Sequence, residues 1–214
     1  MPPNSSDAQP AVAIIDYGLG NLRSIQRKLQ RFSVDVRIAS SPEEVLSADR
    51  LVFPGVGHFA AGIENLERSG LRPALEEKVL RQNAPVLGIC LGMQLFAEFS
   101  EEGNAAGLGW IDARVLKFRP EWMSMPRRVP HVGWSESRPL RPSPLFDGVP
   151  PDQRFYFTHS YRFECRDPAD ELARTFYGNE FTSAVQRGNI SGVQFHPEKS
   201  HLEGLRVLLN FARG

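Results

Sequence analysis

The chain's 214 residues, 41% of them hydrophobic and 23% charged, suffice for a substantial buried core and leave little room for long disorder. Lys and Arg total 25, as do Asp and Glu, so the zero formal net charge gives no electrostatic reason to expect nucleic acid or an anionic membrane as partner. No run approaches the roughly 18 apolar residues that cross a bilayer, and the two cysteines, Cys90 and Cys165, have neither metal-ligand spacing nor a pairing pattern, which points to the reducing cytoplasm.

Residues 1–10 (MPPNSSDAQP) are polar and Pro-rich without an apolar signal core, and read as a disordered tail ahead of one domain over residues 11–214. AVAIID at 11–16 is nearly all apolar, as in a strand covered on both faces of a parallel sheet. Gly18 and Gly20 follow, but Arg23 stands where a dinucleotide fingerprint needs its third glycine. Leu22, Ile25 and Leu29 share one side of a helix over 22–32, and residues 34–39 form a second strand. Ser41-Pro42-Glu43-Glu44 opens a short helix with a serine N-cap, proline at the first position and acids in the first turn. A third strand at 51–53 runs into the loop Pro54-Gly55-Val56-Gly57, at the edge where open α/β sheets place their ligands. Amphipathic helices at 60–68 and 71–82 precede a strand at 85–90. This alternation predicts an α/β fold with an open, mostly parallel sheet flanked by helices. Strand character at 107–118, 129–134, 154–163 and 190–195, with a hairpin around Gly178-Asn179, adds an antiparallel region in the second half. Residues 119–128 and 138–151 read as connections, and a helix over 201–212 closes the chain.

The stretch Gly88-Ile89-Cys90-Leu91-Gly92 organises the rest. A strand ends at the cysteine, and a helical pattern begins at once, with Leu91, Leu95, Phe96 and Phe99 on one face. Glycines two residues either side permit the sharp bend of a nucleophile elbow. A cysteine placed at a helix N-terminus is favoured as thiolate. A lone cysteine in an apolar stretch is usually a small buried hydrophobe, and it is the two glycines that tilt the reading.

A sulfur nucleophile needs a base held in one orientation. His196 and Glu198 lie one residue apart at the end of a strand, so their side chains share a direction, and Pro197 keeps the preceding residue extended. With Cys90 they compose a Cys-His-Glu triad. The oxyanion donors expected beside it are the Leu91 N–H and an N–H of the 54–57 loop, at Val56 or Gly57. His159, His131 and His58 have no carboxylate two residues away, His201 has Glu203 there but lies near a helix start, and a histidine in an aromatic strand is more often a hydrogen-bonded structural residue than a base. No H-x-x-x-H or H-E-x-x-H spacing occurs, so no metal and no cofactor is assigned.

Gly88-Ile-Cys90-Leu-Gly92-Met-Gln94, Pro54-Gly-Val-Gly57 and Gln194-Phe-His196-Pro-Glu198-Lys-Ser200 resemble the motifs of class I, triad-type glutamine amidotransferases, whose core is flavodoxin-like. Within that class Asp16-Tyr-Gly-Leu-Gly-Asn21, Pro130-His-Val-Gly-Trp134 and Tyr156-Phe-Thr-His-Ser-Tyr161 are similar to the glutaminase subunits of imidazole glycerol phosphate synthases, of histidine biosynthesis. The resemblance implies that L-glutamine is hydrolysed to glutamate and ammonia, with Gly55, Gly57, Gln94 and the Ser160-Tyr161 backbone holding the substrate. It also implies a heterodimer in which ammonia passes to a (β/α)₈-barrel cyclase, forming imidazole glycerol phosphate and the purine-pathway carboxamide AICAR. Asn21, Trp134, Tyr156 and Lys199 match positions that in the family face the cyclase. Val132 and Ser135 stand where the family commonly has methionine and asparagine, and Leu19 where proline is frequent. A paralogue feeding another barrel synthase, for example in modified-sugar assembly, is therefore the alternative within the class. A cysteine peptidase-like hydrolase and a non-catalytic regulatory subunit are the alternatives outside it.

Overall fold

In a computed structural model, which describes residues 10–214, five parallel strands form the half of the sheet that carries the sequence's early motifs. They are β1 (Val12–Ile15), β2 (Val36–Ala39), β3 (Arg50–Gly55), β4 (Val86–Cys90) and β14 (Ile190–Val193), in the order β2-β1-β3-β4-β14. All but β2, an edge strand, are buried along almost their whole length because helices cover both faces. Val12 and Ile14 join one core with Ile25, Leu29, Leu208 and Phe211, while Ala13 and Ile15 join the other with Phe59, Leu66, Leu75 and Val79. The first face is covered by α1 (Leu22–Gln30) and α6 (His201–Arg213), the second by α3 (Phe59–Ser69) and α4 (Arg72–Glu76). The short α2 (Pro42–Leu46) starts as its sequence dictates: Ser41 accepts from the Glu44 N–H, and the Glu44 carboxylate returns to the Ser41 N–H. The expected tail at 1–10 lies, apart from Pro10, outside the described residues.

The second half is mostly antiparallel. The sheet continues from β14 through β13 (Asn179–Arg187), β11 (Tyr161–Cys165) and β7 (Ala113–Lys117) to the two-residue strands β5 (Phe99–Ser100) and β6 (Ala105–Ala106). The exception is the short β5, which runs parallel to β7. The hairpin expected at Gly178 is present, with β12 (Glu171–Tyr177) against β13, and β12 also pairs with β9 (Arg138–Pro139). A separate two-stranded ribbon, β8 (His131–Glu136) with β10 (Arg154–His159), pairs Trp134 with Tyr156 and His131 with His159.

Several boundaries differ from expectation. The single strand expected at 154–163 is two strands broken at Ser160, where the chain leaves the ribbon and enters the main sheet. The alternating aromatic pattern runs through the break and hides it. The helix after Cys90 is one turn, α5 (Leu91–Gln94), and Phe99 belongs to β5 rather than to the helical face. The strand expected at 107–118 is only Ala113–Lys117, and the loop at 119–128 carries a 3₁₀ turn at Pro120–Trp122. Residues 71–82 form α4 followed by a π-helical turn at Glu77–Arg81. Pro54 and Gly55 belong to β3, paired with Ile89 and Cys90, so the ligand-edge loop begins at Val56.

Candidate active site

The elbow forms because β4 stops against β3 with no room for anything but glycine around it. A Cβ on Gly92 would sit 1.7 Å from the Phe53 carbonyl oxygen, and one on Gly88 2.7 Å from the Met93 backbone nitrogen. Cys90 itself takes φ 54° and ψ −110°, a conformation that side-chain-bearing residues rarely adopt and that marks a bend fixed by its surroundings. The strain presents Sγ into a cavity of about 320 Å³ lined by Val56, Gly57, Leu91, Gln94, Glu102 and His196, among others.

His196 arrives just past β14, the strand paired with β4, at the same sheet edge, with extended backbone (φ −99°, ψ 94°) ahead of Pro197. Its N–H donates to the Tyr156 carbonyl at 2.8 Å. The Glu198 carboxylate meets His196 Nδ1 at 2.9 Å, with both side chains almost fully buried. The direction they share comes from a 3₁₀ turn at Pro197–Lys199, not from an extended chain, and Ser200 Oγ closes that turn onto the His196 carbonyl at 2.7 Å. Burial opposes the imidazolium, but the neighbouring Cys90 sulfur and the Glu198 carboxylate outweigh it and raise the His196 pKa to about 10. Among the described residues Nε2 has no regular hydrogen-bond partner, nor does Glu198 Oε2. With the carboxylate fixing Nδ1, Nε2 is the nitrogen left to serve the sulfur and a bound substrate.

Of the residues expected to hold glutamine, Gly57, Gln94, Ser160 and Tyr161 line the cavity, as do Val56 and Leu91, the expected oxyanion donors. Gly55 does not. It lies buried at the end of β3, where a Cβ would come 2.4 Å from the Tyr17 hydroxyl, so its place is in packing the elbow. The Tyr161 carbonyl is engaged twice, by His159 Nδ1 at 2.7 Å and Gln94 Nε2 at 3.2 Å, so it is not a free acceptor for a ligand. Gln94 also donates to Gln194 Oε1 at 2.9 Å, and Gln194 Nε2 lies 3.6 Å from Cys90 Sγ.

Glu102, Gln194, Thr158 and the His131–His159 pair were not singled out for the site by spacing. Among the described residues Glu102 is the one carboxylate on the cavity wall, and it also accepts from the Phe59 N–H at 2.9 Å. It sits in a polar turn beside Glu101, where the sequence offers nothing to separate it from an ordinary solvated acid. His159 is the hydrogen-bonded histidine its aromatic strand suggested, buried and neutral, its pKa lowered to about 4 chiefly by burial.

Asn21, Trp134, Tyr156 and Lys199 gather outside this cavity. Trp134 lies 6.0 Å from Tyr156, ring to ring, and Lys199 Nζ is 5.6 Å from the Tyr156 ring. Asn21, exposed, stands at the N-cap position of α1 without a side-chain capping bond, and α1 packs against the turn that carries Lys199.

The chain is 45% identical over 202 residues to imidazole glycerol phosphate synthase subunit HisH 2 of Methanococcus maripaludis, covering 94% of this chain and 98% of that protein. It is 44% identical over 201 residues to the HisH subunit of Bdellovibrio bacteriovorus, with the same coverage. In three dimensions it superposes on a glutamine amidotransferase crystal structure with a TM-score of 0.72 at 18% identity, covering 94% of this chain and 98% of that one. PurLQS from Thermotoga maritima superposes with a TM-score of 0.70 at 15% identity, over 95% and 98% of the two chains. A family model described as glutamine amidotransferase class-I matches residues 13–213. With the family model matching nearly the whole length and relatives above 40% identity over 94% of it, this chain belongs to the class I glutamine amidotransferases, among the HisH subunits of imidazole glycerol phosphate synthase.

Proposed function

We propose that residues 11–214 form one amidotransferase domain that hydrolyses L-glutamine to glutamate and ammonia through Cys90, His196 and Glu198, as the glutaminase subunit of imidazole glycerol phosphate synthase in the cytoplasm. The observation that carries this is His196, clamped by Glu198 at 2.9 Å on Nδ1 and raised to about 10 by the sulfur on its other side. An imidazole in that position holds its proton while Cys90 acts as thiolate.

The sulfur attacks the side-chain amide carbon, and the electron pair of the C=O moves onto oxygen. The Leu91 N–H and an N–H at Val56 or Gly57 are the donors for that oxyanion. Collapse breaks the C–N bond as His196 passes its proton to the leaving nitrogen, which departs as ammonia. His196, now neutral, takes a proton from water, the hydroxide adds to the thioester, and glutamate leaves as the thiolate and imidazolium re-form. Glu102 is placed to meet the substrate's α-ammonium, since it is the only carboxylate lining the cavity among the described residues.

The ammonia is passed to a partner, which we take to be a (β/α)₈-barrel cyclase that uses it to make imidazole glycerol phosphate and AICAR. The exposed face around Trp134, Tyr156, Lys199 and Asn21 is the docking surface in this reading. Cys90→Ala should abolish glutamine use by the complex while synthesis supplied with free ammonium continues. Continued glutamine consumption by Cys90→Ala would remove the sulfur from the mechanism. A glutaminase rate in the isolated chain equal to that of the complex with its nucleotide ligand would show that the partner does not control the site.

A further inference from the structure

One buried polar feature is left unused by this chemistry. His131 and His159, on opposite strands of the β8–β10 ribbon, are 1% and 7% exposed, and His131 Nδ1 lies 3.0 Å from His159 Nε2. His131 Nε2 meets Ser135 Oγ at 2.9 Å, and His159 Nδ1 meets the Tyr161 carbonyl at 2.7 Å. The His131 ring is stacked between Tyr177 and Phe157, with centroids at 3.8 and 4.8 Å, so it has little freedom to turn.

We propose that His131 and His159 are positioning residues for glutamine hydrolysis: a hydrogen-bond chain of fixed direction through them holds the Tyr161 carbonyl, and with it the Ser160–Tyr161 wall of the substrate cavity. This rests on the reading of that cavity as the glutamine site.

The direction follows from chemistry. A carbonyl oxygen only accepts, so His159 Nδ1 carries hydrogen. Burial keeps both rings neutral, lowering His131 to about 3 and His159 to about 4, so each ring has one donor and one acceptor. His159 Nε2 is therefore an acceptor, His131 Nδ1 a donor, and His131 Nε2 an acceptor for the Ser135 hydroxyl. Every member has one role, and the last donor falls on a cavity-lining residue. The same carbonyl takes its second hydrogen bond from Gln94, which leads through Gln194 to Cys90 Sγ. Tyr161 is thus held between the histidine chain on one side and the nucleophile's neighbours on the other. It needs holding, because Ser160 is where the backbone crosses from ribbon to main sheet. The Ser160 carbonyl is tied to the Phe118 N–H at 3.0 Å, but Ser160 itself belongs to neither strand. An apolar pair would fill the same core space without aiming a donor at that peptide.

The test compares His159→Leu, His159→Asn and Ser135→Ala in the complex with the synthase partner subunit. The Asn side-chain N–H lies where Nδ1–H does, whereas Leu keeps volume and supplies no donor. His159→Leu should raise KM for glutamine about 10-fold with kcat within about 3-fold, and His159→Asn should bring KM back to within about 3-fold of the parent. The rate of Cys90 alkylation by iodoacetamide should stay as in the parent, because the thiol and His196 are untouched. Ser135→Ala, half-exposed and safe for folding, should raise KM about 3-fold. KM within 2-fold of the parent in His159→Leu overturns the proposal, as does equal impairment of the Leu and Asn variants. Should His159→Leu not fold, an unchanged KM in Ser135→Ala overturns it instead. Hydrolysis persisting in Cys90→Ala would mark failure of the glutamine-site reading itself, which the histidine variants do not probe.

Discussion

Three imidazoles within one small region are driven in opposite directions by what surrounds them. His196 is raised because anionic neighbours favour its charged form, whereas His131 and His159 are lowered chiefly because burial penalises charge, with His159 adding to the effect at His131 and His196 adding to it at His159. The sign of the stability change follows. Below about pH 6.5 His196 is protonated whether the chain is folded or not, and its contribution disappears only on the alkaline side, as pH rises through about 10. The other two are neutral in the fold and protonate on unfolding, so their contribution is complete above pH 6.5 and is lost as pH falls toward 4 and then 3. Unfolding at pH 5.5 should therefore take up about two protons beyond the carboxylate background. Calorimetric unfolding in buffers of differing ionisation enthalpy measures that uptake, and a value near zero would mean that both rings are charged in the folded protein. Cys90, His196 and Glu198 were legible at this scale because glycine spacing and an i, i+2 pair leave marks in the chain. Glu102, Gln194 and the His131–His159 pair were not, because their roles come from partners 28 to 104 residues away, and no local pattern encodes a distant neighbour.

Among the elements, the β4–α5 bend was readable and the length of the helix behind it was not. Gly88 and Gly92 announce a close approach, while the apolar spacing of Leu91, Leu95 and Phe96 fits a longer helix equally well. The helix ends because the chain is claimed by other bonds: Glu98 N–H donates to the Ala113 carbonyl at 3.0 Å, and Phe99 and Ser100 pair with β7. Tertiary pairing here overrides local periodicity, as it does at Ser160. Gly92→Ala tests how rigid the bend is. Its Cβ would meet a β3 backbone carbonyl at 1.7 Å, and a central strand paired on both sides has nowhere to move. The substitution should cost about 3 kcal/mol in a denaturant titration, and shift Val56 and Gly57 with the end of β3. A loss below about 0.5 kcal/mol would show that the bend relaxes freely.

At the scale of the whole molecule, the parallel half was written in the sequence as alternating buried runs and glycine loops, and its strand order 2-1-3-4 then 14 puts the chemistry at the carboxyl edge. The ribbon of β8 and β10 serves that edge from both of its sides. His159 and Thr158 line the cavity, while Val132 and Trp134 stand outward, 54% and 41% exposed. An exposed tryptophan beside an exposed valine and a lysine is costly to leave in water and is the kind of anchor that interfaces concentrate. Trp134 also stacks on His201 at 4.7 Å, which fixes its ring in place without hiding it. If this is where the synthase partner docks, Trp134→Ala should weaken association by about 2 kcal/mol, near 30-fold in Kd. The melting temperature of the free chain should fall by no more than a few degrees, since the ring is not in either core. Sedimentation or surface-binding measurements of the pair, run beside thermal melts of the chain alone, separate the two effects. A large drop in melting temperature with unchanged affinity would make Trp134 a packing residue and move the docking face elsewhere along the same edge.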